Sequence, residues 1–384
     1  MNENEEEKNE NPFTEDGPLS QQYLDSQEDN DNIDDLGVDL FGNQHSLFSE
    51  EALEEISIVI KRYSDEEIIQ DAYEYFQVTG FPYPTLTLFE MKQELNKLAN
   101  MDLDSCQRST VAYRVADTFH KHRFHSSAIG MRSPITSFGI EKSFRKSLKM
   151  ELMGSGIKPG SNSFLNMVNG TQACANFRPA YARMMYDKYG GENAVIFDSS
   201  TGYGGRLTGF LASECIRYIG VDPNTITHQA NQRLFKTLKN GKLINLPAED
   251  VDVDKSNIRG VADFSFTSPP YFKKEIYSEE KTQSCHRHSE YEEWINDFLK
   301  PMMKLNYDVL KPGGTTIINI EDVKIKGKLY PLVHPTIEAG VEAGFDYEKT
   351  EKFGLQHRTM LKDGKKVSIE AFESVIIFHK PKVD

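Results

Sequence analysis

The sequence predicts an α/β protein: a doubly wound, mostly parallel sheet of seven strands, preceded by a helical region. Three observations carry that expectation. From about residue 176, short β-prone runs alternate with segments of helical apolar spacing. A Gly-rich loop, Asp198-Ser199-Ser200-Thr201-Gly202-Tyr203-Gly204-Gly205, lies between the first of these strands and its helix, where open α/β sheets bind nucleotides. The fourth strand, Val261–Thr267, runs into Pro269-Pro270, and neither proline can donate to a β-ladder.

Taken in order, the chain begins with an acidic leader. Residues 1–50 hold 15 Asp/Glu and one Lys, and the remainder has 44 acids against 43 bases. The overall charge of −15 is therefore a property of the leader added to a neutral body. So acidic and weakly patterned a segment cannot bury enough apolar surface to repay its ordering entropy, and it is expected to be disordered. It reads as a solvated tail or a contact for a partner protein.

Residues 51–175 read as a helical and basic region. Helical spacing covers Glu51–Lys61 and Asp65–Phe76, Gly80-Phe81-Pro82-Tyr83-Pro84 interrupts it, and a third helix runs from Thr87 to Leu98. Between 105 and 160 ten Lys/Arg face three Asp/Glu, with Tyr113, Phe119, Phe124, Phe138 and Phe144 interleaved. Cations among aromatics suit phosphate contact with base or sugar packing, which makes Arg123, Arg132, Lys142, Arg145 and Lys146 candidate nucleic-acid contacts.

The body, 176–384, opens with a helix over 177–189 that has Pro179 in its first turn and Gly190-Gly191 as its stop. Strand Ala194–Phe197 and helix Arg206–Ile216 flank the Gly-rich loop. Strand Tyr218–Val221 ends at Asp222, 24 residues after Asp198. Helix Thr225–Leu238 and strand Lys242–Asn245 lead to Glu249-Asp250, and the Pro-Pro strand follows. Beyond it come one long helix (Tyr291–Leu310), strand Thr315–Ile320, a helix over 333–344, and two final strands, Phe345–Lys352 and Ser374–His379. Those two are expected to pair as a hairpin-like edge, with Arg358–Lys366 as a long connection.

Composition excludes some classes. Four cysteines without paired spacing fit a reducing compartment and no disulfide framework. Cys285-His286-Arg287-His288 lacks the second pair a zinc site needs, so no metal is expected. No signal segment or bilayer-length apolar run occurs, and the expected location is intracellular, cytoplasmic.

The chemistry concentrates at Ser268-Pro269-Pro270-Tyr271-Phe272. A rigid strand end offers free carbonyls and a hydroxyl as acceptors for two amino hydrogens, beside an aromatic face able to stack on an extruded base. This stretch resembles motif IV of the amino-methylating DNA methyltransferases, whose pattern is Asp, Asn or Ser, then Pro-Pro and an aromatic. The Gly-rich loop resembles motif I of the same enzymes, Asp-x-x-x-Gly-x-Gly. The Leu207 that stands at the third glycine position argues against a nicotinamide dinucleotide. Phe177-Arg178-Pro179, Tyr186, Glu275, Tyr277 and Gln283-Ser284 extend the likeness to phage-type DNA methylases over roughly 176–381.

The resemblance implies a class I, Rossmann-like methyltransferase fold and S-adenosyl-L-methionine (SAM) as cofactor. It implies that Phe197, Asp198, Gly202 and Gly204 form the SAM loop, that Asp222 holds the ribose, and that Glu249 or, as preferred, Asp250 holds the adenine. Ser268 and the Pro269 carbonyl would accept the amino hydrogens, Pro270 would rigidify the turn, Tyr271 would stack on a flipped base, and Phe272 would brace it against DNA. Serine at the motif's first position is more typical of cytosine-N4 than of adenine-N6 enzymes. The usual separate target-recognition domain is missing from both usual places, so target reading is expected from the N-terminal half and the loop 273–289. RNA or protein amino-methylation, and a non-catalytic nucleic-acid-binding subunit, are the competing expectations.

Overall fold

The computed structural model describes residues 63–153, 157, 171–236, 241–354, 358–362, 365–369 and 372–383. The expected leader and the helix over Glu51–Lys61 lie outside the described residues. From Asp65 onward the chain forms one compact unit. The expected boundary at 175/176 therefore does not separate two bodies: Leu95, Leu98 and Val115 share a core with Tyr186, Ile196 and Phe266.

The seven-stranded sheet contains β1 (Val195–Asp198), β2 (Arg217–Val221), β3 (Gly241–Ile244), β4 (Ala262–Thr267), β5 (Leu310–Ile320), β6 (Asp346–Gly354) and β7 (Phe372–His379). Their order across the sheet is β6-β7-β5-β4-β1-β2-β3. β1 pairs in parallel with β2 and β4, β2 with β3, and β4 with β5, while β7 runs antiparallel to both β5 and β6. The single reversal lies where the sequence puts its last two strands. The expected long connection is itself paired, as Arg358–Lys362 against Lys365–Ile369.

Neighbouring residues of the central strands enter different cores, as the period of two requires when both faces are covered. Ile196, Phe264, Phe266 and Ile317 pack with Tyr186 and Phe210 on one side. Phe197, Ile219 and Ile318 pack with Trp294, Met302 and Phe378 on the other.

Helices follow the sequence signals with informative departures. α1 (Asp65–Thr79) and α2 (Leu88–Ala99) lie in the N-terminal segment. Thr87 caps α2: its hydroxyl accepts from the Glu90 amide, and the Glu90 carboxylate accepts from the Thr87 amide in return. α3 (Glu141–Met153) packs on α1 through Phe144, Leu148, Ile69 and Phe76. α4 (Pro179–Met185) has Pro179 at its start and widens into a π turn over Tyr186–Gly190. α5 (Gly205–Leu211) is shorter than the expected Arg206–Ile216, and α6 (Thr225–Lys236) follows β2. The expected long helix Tyr291–Leu310 is continuous but not uniform. A π segment, Trp294–Leu299, precedes α7 (Lys300–Val309). Pro301 lacks an amide hydrogen and would clash with the carbonyl one turn back, and the wider π turn accommodates it. α8 (Val333–Ala343) ends at Gly344, φ 107°.

Candidate active site

The Gly-rich loop leaves β1 at Asp198 and is shaped by glycine. Gly202 (φ 59°) and Gly204 (φ 74°) occupy left-handed backbone, and a Cβ on Gly205 would stand 2.0 Å from the Phe177 carbonyl oxygen. Asp198 is fully buried beneath this loop. Its carboxylate accepts from Arg206 Nε (2.8 Å), the Tyr218 hydroxyl (2.6 Å), Thr267 Oγ1 (2.9 Å) and the Ser200 amide (3.1 Å). The Thr267 bond ties the end of β1 to the end of β4, so the two functional turns leave the same edge of the sheet.

Both turns line one cavity of about 670 Å³. On one side its wall is Ser199 to Tyr203, Asp222, Pro223, Pro247, Ala248, Glu249 and Phe298. On the other it is Ser268-Pro269-Pro270-Tyr271, Lys274, Glu275, Phe177, Arg178, Phe353 and Glu373.

Asp222 is buried, with Oδ2 accepting from the Gly202 amide (2.8 Å) and Oδ1 from the Asn224 amide (2.9 Å). Burial pushes its carboxyl up to about 7, against the opposing pull of those two amides. Glu249 follows β3. Its Oε1 lies 3.1 Å from His288 Nε2 and 3.3 Å from Arg287 Nη1, while Oε2 is buried without a partner among the described residues. Two acceptor-bearing carboxyls beside an apolar shelf of Pro247, Ala248 and Phe298 fit the hydroxyls and exocyclic amine of an adenosine moiety.

At the opposite end Tyr271 is pinned by its hydroxyl. It receives Asn319 Nδ2 at 2.9 Å and donates to the Asn319 carbonyl at 3.3 Å, and Ser268 Oγ stands 3.5 Å away. The Lys274 ammonium lies 5.0 Å from the Tyr271 ring centroid. Glu275 accepts from the Tyr277 hydroxyl at 2.7 Å, and burial raises its carboxyl above the usual range.

Several expected contacts prove to be supports. Phe197 and Gly204 do not line the cavity. Phe197 is fully buried in the core, and the Gly204 backbone is crowded by His120 and Asn231. Asp198 meets Arg206 rather than a ligand's positive charge. Asp250 turns outward to Arg287, 2.6 Å, leaving Glu249 on the wall. Phe272 is buried among Tyr291, Trp294 and Tyr330, so it braces the turn from behind. Arg123 is buried too, held by both oxygens of Asp117 (2.6 and 2.9 Å), although one edge of it reaches the cavity. Arg132, Lys142, Arg145 and Lys146 lie outside the lining. Lys142 and Lys146 are exposed, and Arg145 pairs with Glu141 over the Tyr73 ring. Among the described residues no cluster of His, Cys, Asp and Glu could hold a metal, and no helix is long and apolar enough to cross a membrane.

Sequence reasoning missed Phe353, Glu373 and Asn319 as site residues. They come from β6, β7 and β5, and no local motif marks them.

A sheet ordered β6-β7-β5-β4-β1-β2-β3 with β7 reversed, and a glycine turn after β1, defines a class I SAM-dependent methyltransferase fold. Residues 262–383 match the family described as DNA methylase, N6_N4_Mtase, and SAM is the cofactor that this match and the fold imply. Solved structures similar to it include a SAM-dependent methyltransferase from Methanosarcina mazei (12% identity, 52% of this chain and 98% of that one, TM-score 0.34). Others are a methyltransferase from Bacillus halodurans (11%, 52% and 97%, 0.37) and a SAM-dependent O-methyltransferase from Thermotoga maritima (11%, 54% and 65%, 0.33). The strand order, not these distant likenesses, carries the fold assignment. No curated protein sequence matches the chain significantly.

Proposed function

We propose that this protein methylates the exocyclic amino group of a base in DNA, with cytosine-N4 favoured over adenine-N6. The observation that carries this reading is one cavity walled by Ser268-Pro269-Pro270-Tyr271 at the end of β4 and by Gly202 and Asp222 beside it. SAM supplies an activated methyl group, and the residues of this chain position, desolvate and hold. Asp222 and Glu249 hold the nucleoside end of the cofactor. The Pro269 carbonyl and Ser268 Oγ accept the amino hydrogens, so the nitrogen lone pair points away from them. Tyr271, fixed at its hydroxyl by Asn319, offers its ring face to an extruded base. Serine at 268 supports cytosine over adenine only through the family pattern. Lys142 and Lys146 are exposed cations suited to phosphate, and the N-terminal segment and the loop 273–289 supply target reading in place of a separate domain.

The test is methyl transfer from labelled SAM to duplex DNA, tRNA, rRNA and protein in parallel, with mass spectrometry of the DNA nucleosides. N4-methylcytosine is the expected product. N6-methyladenine would correct the base, and label in RNA or protein alone would refute the DNA reading.

A further inference from the structure

Ser268 can accept a hydrogen bond from the target amine but carries no charge with which to keep its proton. The same wall of the cavity holds a carboxylate that can. Glu373, the second residue of β7, lines the cavity beside Ser268 and Tyr271. It is tied to them through a single amide: Asn319 Nδ2 lies 2.8 Å from Glu373 Oε2, 2.9 Å from the Tyr271 hydroxyl and 3.5 Å from Ser268 Oγ. Asn319 is fully buried and its Oδ1 has no partner among the described residues, so its amide nitrogen is spent on these three groups. Charged or titratable groups near Glu373 include Arg178, Tyr181, Tyr271 and Glu275, and Lys274 lines the same cavity over the Tyr271 ring. Arg178 places Nη2 on the Gly354 carbonyl (2.7 Å) and its guanidinium over the Phe353 ring (4.4 Å), while its buried Nη1 has no hydrogen-bond partner among the described residues and makes no ion pair with Glu373. Glu373 thus has an amide partner and no ion pair among the described residues.

A carboxylate in a pocket that admits a nucleic acid is repelled by every phosphate, and it suits only a donor edge of the base. The amino group is such an edge. We infer that Glu373 is the proton acceptor of the reaction and that Asn319 is the positioning residue that aims it. The inference rests on the amino-methylation reading above. As the amino nitrogen forms its new bond to the methyl carbon, the carbon–sulfur bond of the sulfonium donor breaks and its electron pair goes to sulfur. One N–H proton of the now cationic nitrogen passes to the Glu373 carboxylate, leaving a neutral methylamine. The carboxyl returns its proton to water once the product has left.

Single-turnover methylation of duplex DNA by the full chain tests this. Glu373→Gln keeps the Asn319 contact and removes the base, and it is expected to lower the rate by roughly a hundredfold. Glu373→Ala is expected to be equally slow and to recover about tenfold or more with added formate, a small carboxylate replacing the missing one. Calorimetric SAM affinity is expected to stay unchanged in both variants, which separates chemistry from folding. A Glu373→Gln rate within about threefold of wild type would overturn the inference. So would a loss that formate does not restore, since Glu373 would then serve only packing. A wild type that leaves no methyl on DNA sinks the DNA reading itself, whereas wild-type methylation beside an equally fast Glu373→Gln sinks this inference alone.

Discussion

Arg206 Nε lies 2.8 Å from Asp198 Oδ2, with both side chains buried beneath the glycine turn. The pair joins the start of α5 to the end of β1, and Tyr218 and Thr267 add bonds from β2 and β4. Arg206→Met removes one charge and leaves the other buried among hydroxyls. Loss of one partner of a buried pair costs about 3–5 kcal/mol. We therefore predict a large drop in unfolding free energy, measured by urea titration, with loss of SAM binding following from it. A variant that melts like wild type would show that the pair is dispensable to the loop.

Asp222 gives the site a pH dependence whose sign can be worked out. Its carboxyl in the folded chain lies at about 7, above the ordinary 3.8, mainly through burial. For folding, its contribution is fully present below the unfolded value and is lost as pH rises through about 7. For SAM the direction is opposite, because the ionised carboxylate is the better acceptor for ribose hydroxyls. Affinity measured by calorimetry is expected to rise about tenfold between pH 6 and pH 8. The Asp222→Asn variant should bind weakly with no such rise. A wild-type affinity independent of pH would remove Asp222 from the ribose contact.

The succession of strands along the chain, the late reversal and the position of both turns were legible because each depends on local pattern. Ile196 and Phe197 alternate faces, Gly202 and Gly204 break a helix entry, and Pro269-Pro270 end a ladder. Charge was less legible, because Arg and Asp look alike in sequence whether solvated or buried. Arg123 and Asp198 read as ligand contacts and prove to be internal pairs. Glu249 and Asp250 differ by one position on a short helical turn, and that turn decides which carboxylate faces the cavity. Phe353, Asn319 and Glu373 reach the site only through sheet register, in which Gly354 pairs with Phe372 and Ser374 with Ile320.

Tyr271 separates two contributions within one side chain. Its hydroxyl bonds Asn319, and its ring is proposed to stack on the base. Tyr271→Phe removes only the anchor, worth about 1 kcal/mol, and is expected to slow methylation roughly fivefold. Tyr271→Ala removes the stacking face and is expected to abolish turnover while calorimetric SAM binding survives. Ser268→Ala should resemble Tyr271→Ala. If both alanine variants turned over at near wild-type rates, the Pro-Pro strand end would not be the target site.

Glu249 and Asp250 offer a test between neighbours. Asp250 is spent on a surface pair with Arg287, where exposure limits its worth to about 1 kcal/mol or less. Glu249 holds Oε1 against His288 and leaves Oε2 buried on the cavity wall, without a partner among the described residues. A buried acceptor of this kind gains a full hydrogen bond when a donor arrives, about 1–1.5 kcal/mol for a neutral donor and more for a charged acceptor. If that donor is the exocyclic amine of the adenosine moiety, Glu249→Ala should weaken SAM binding by at least about tenfold. Asp250→Asn should leave it within about twofold, since only the outer pair is lost. Fluorescence or calorimetric titration of the two variants decides between them, and equal affinities would mean that the adenine end is held elsewhere in the cavity.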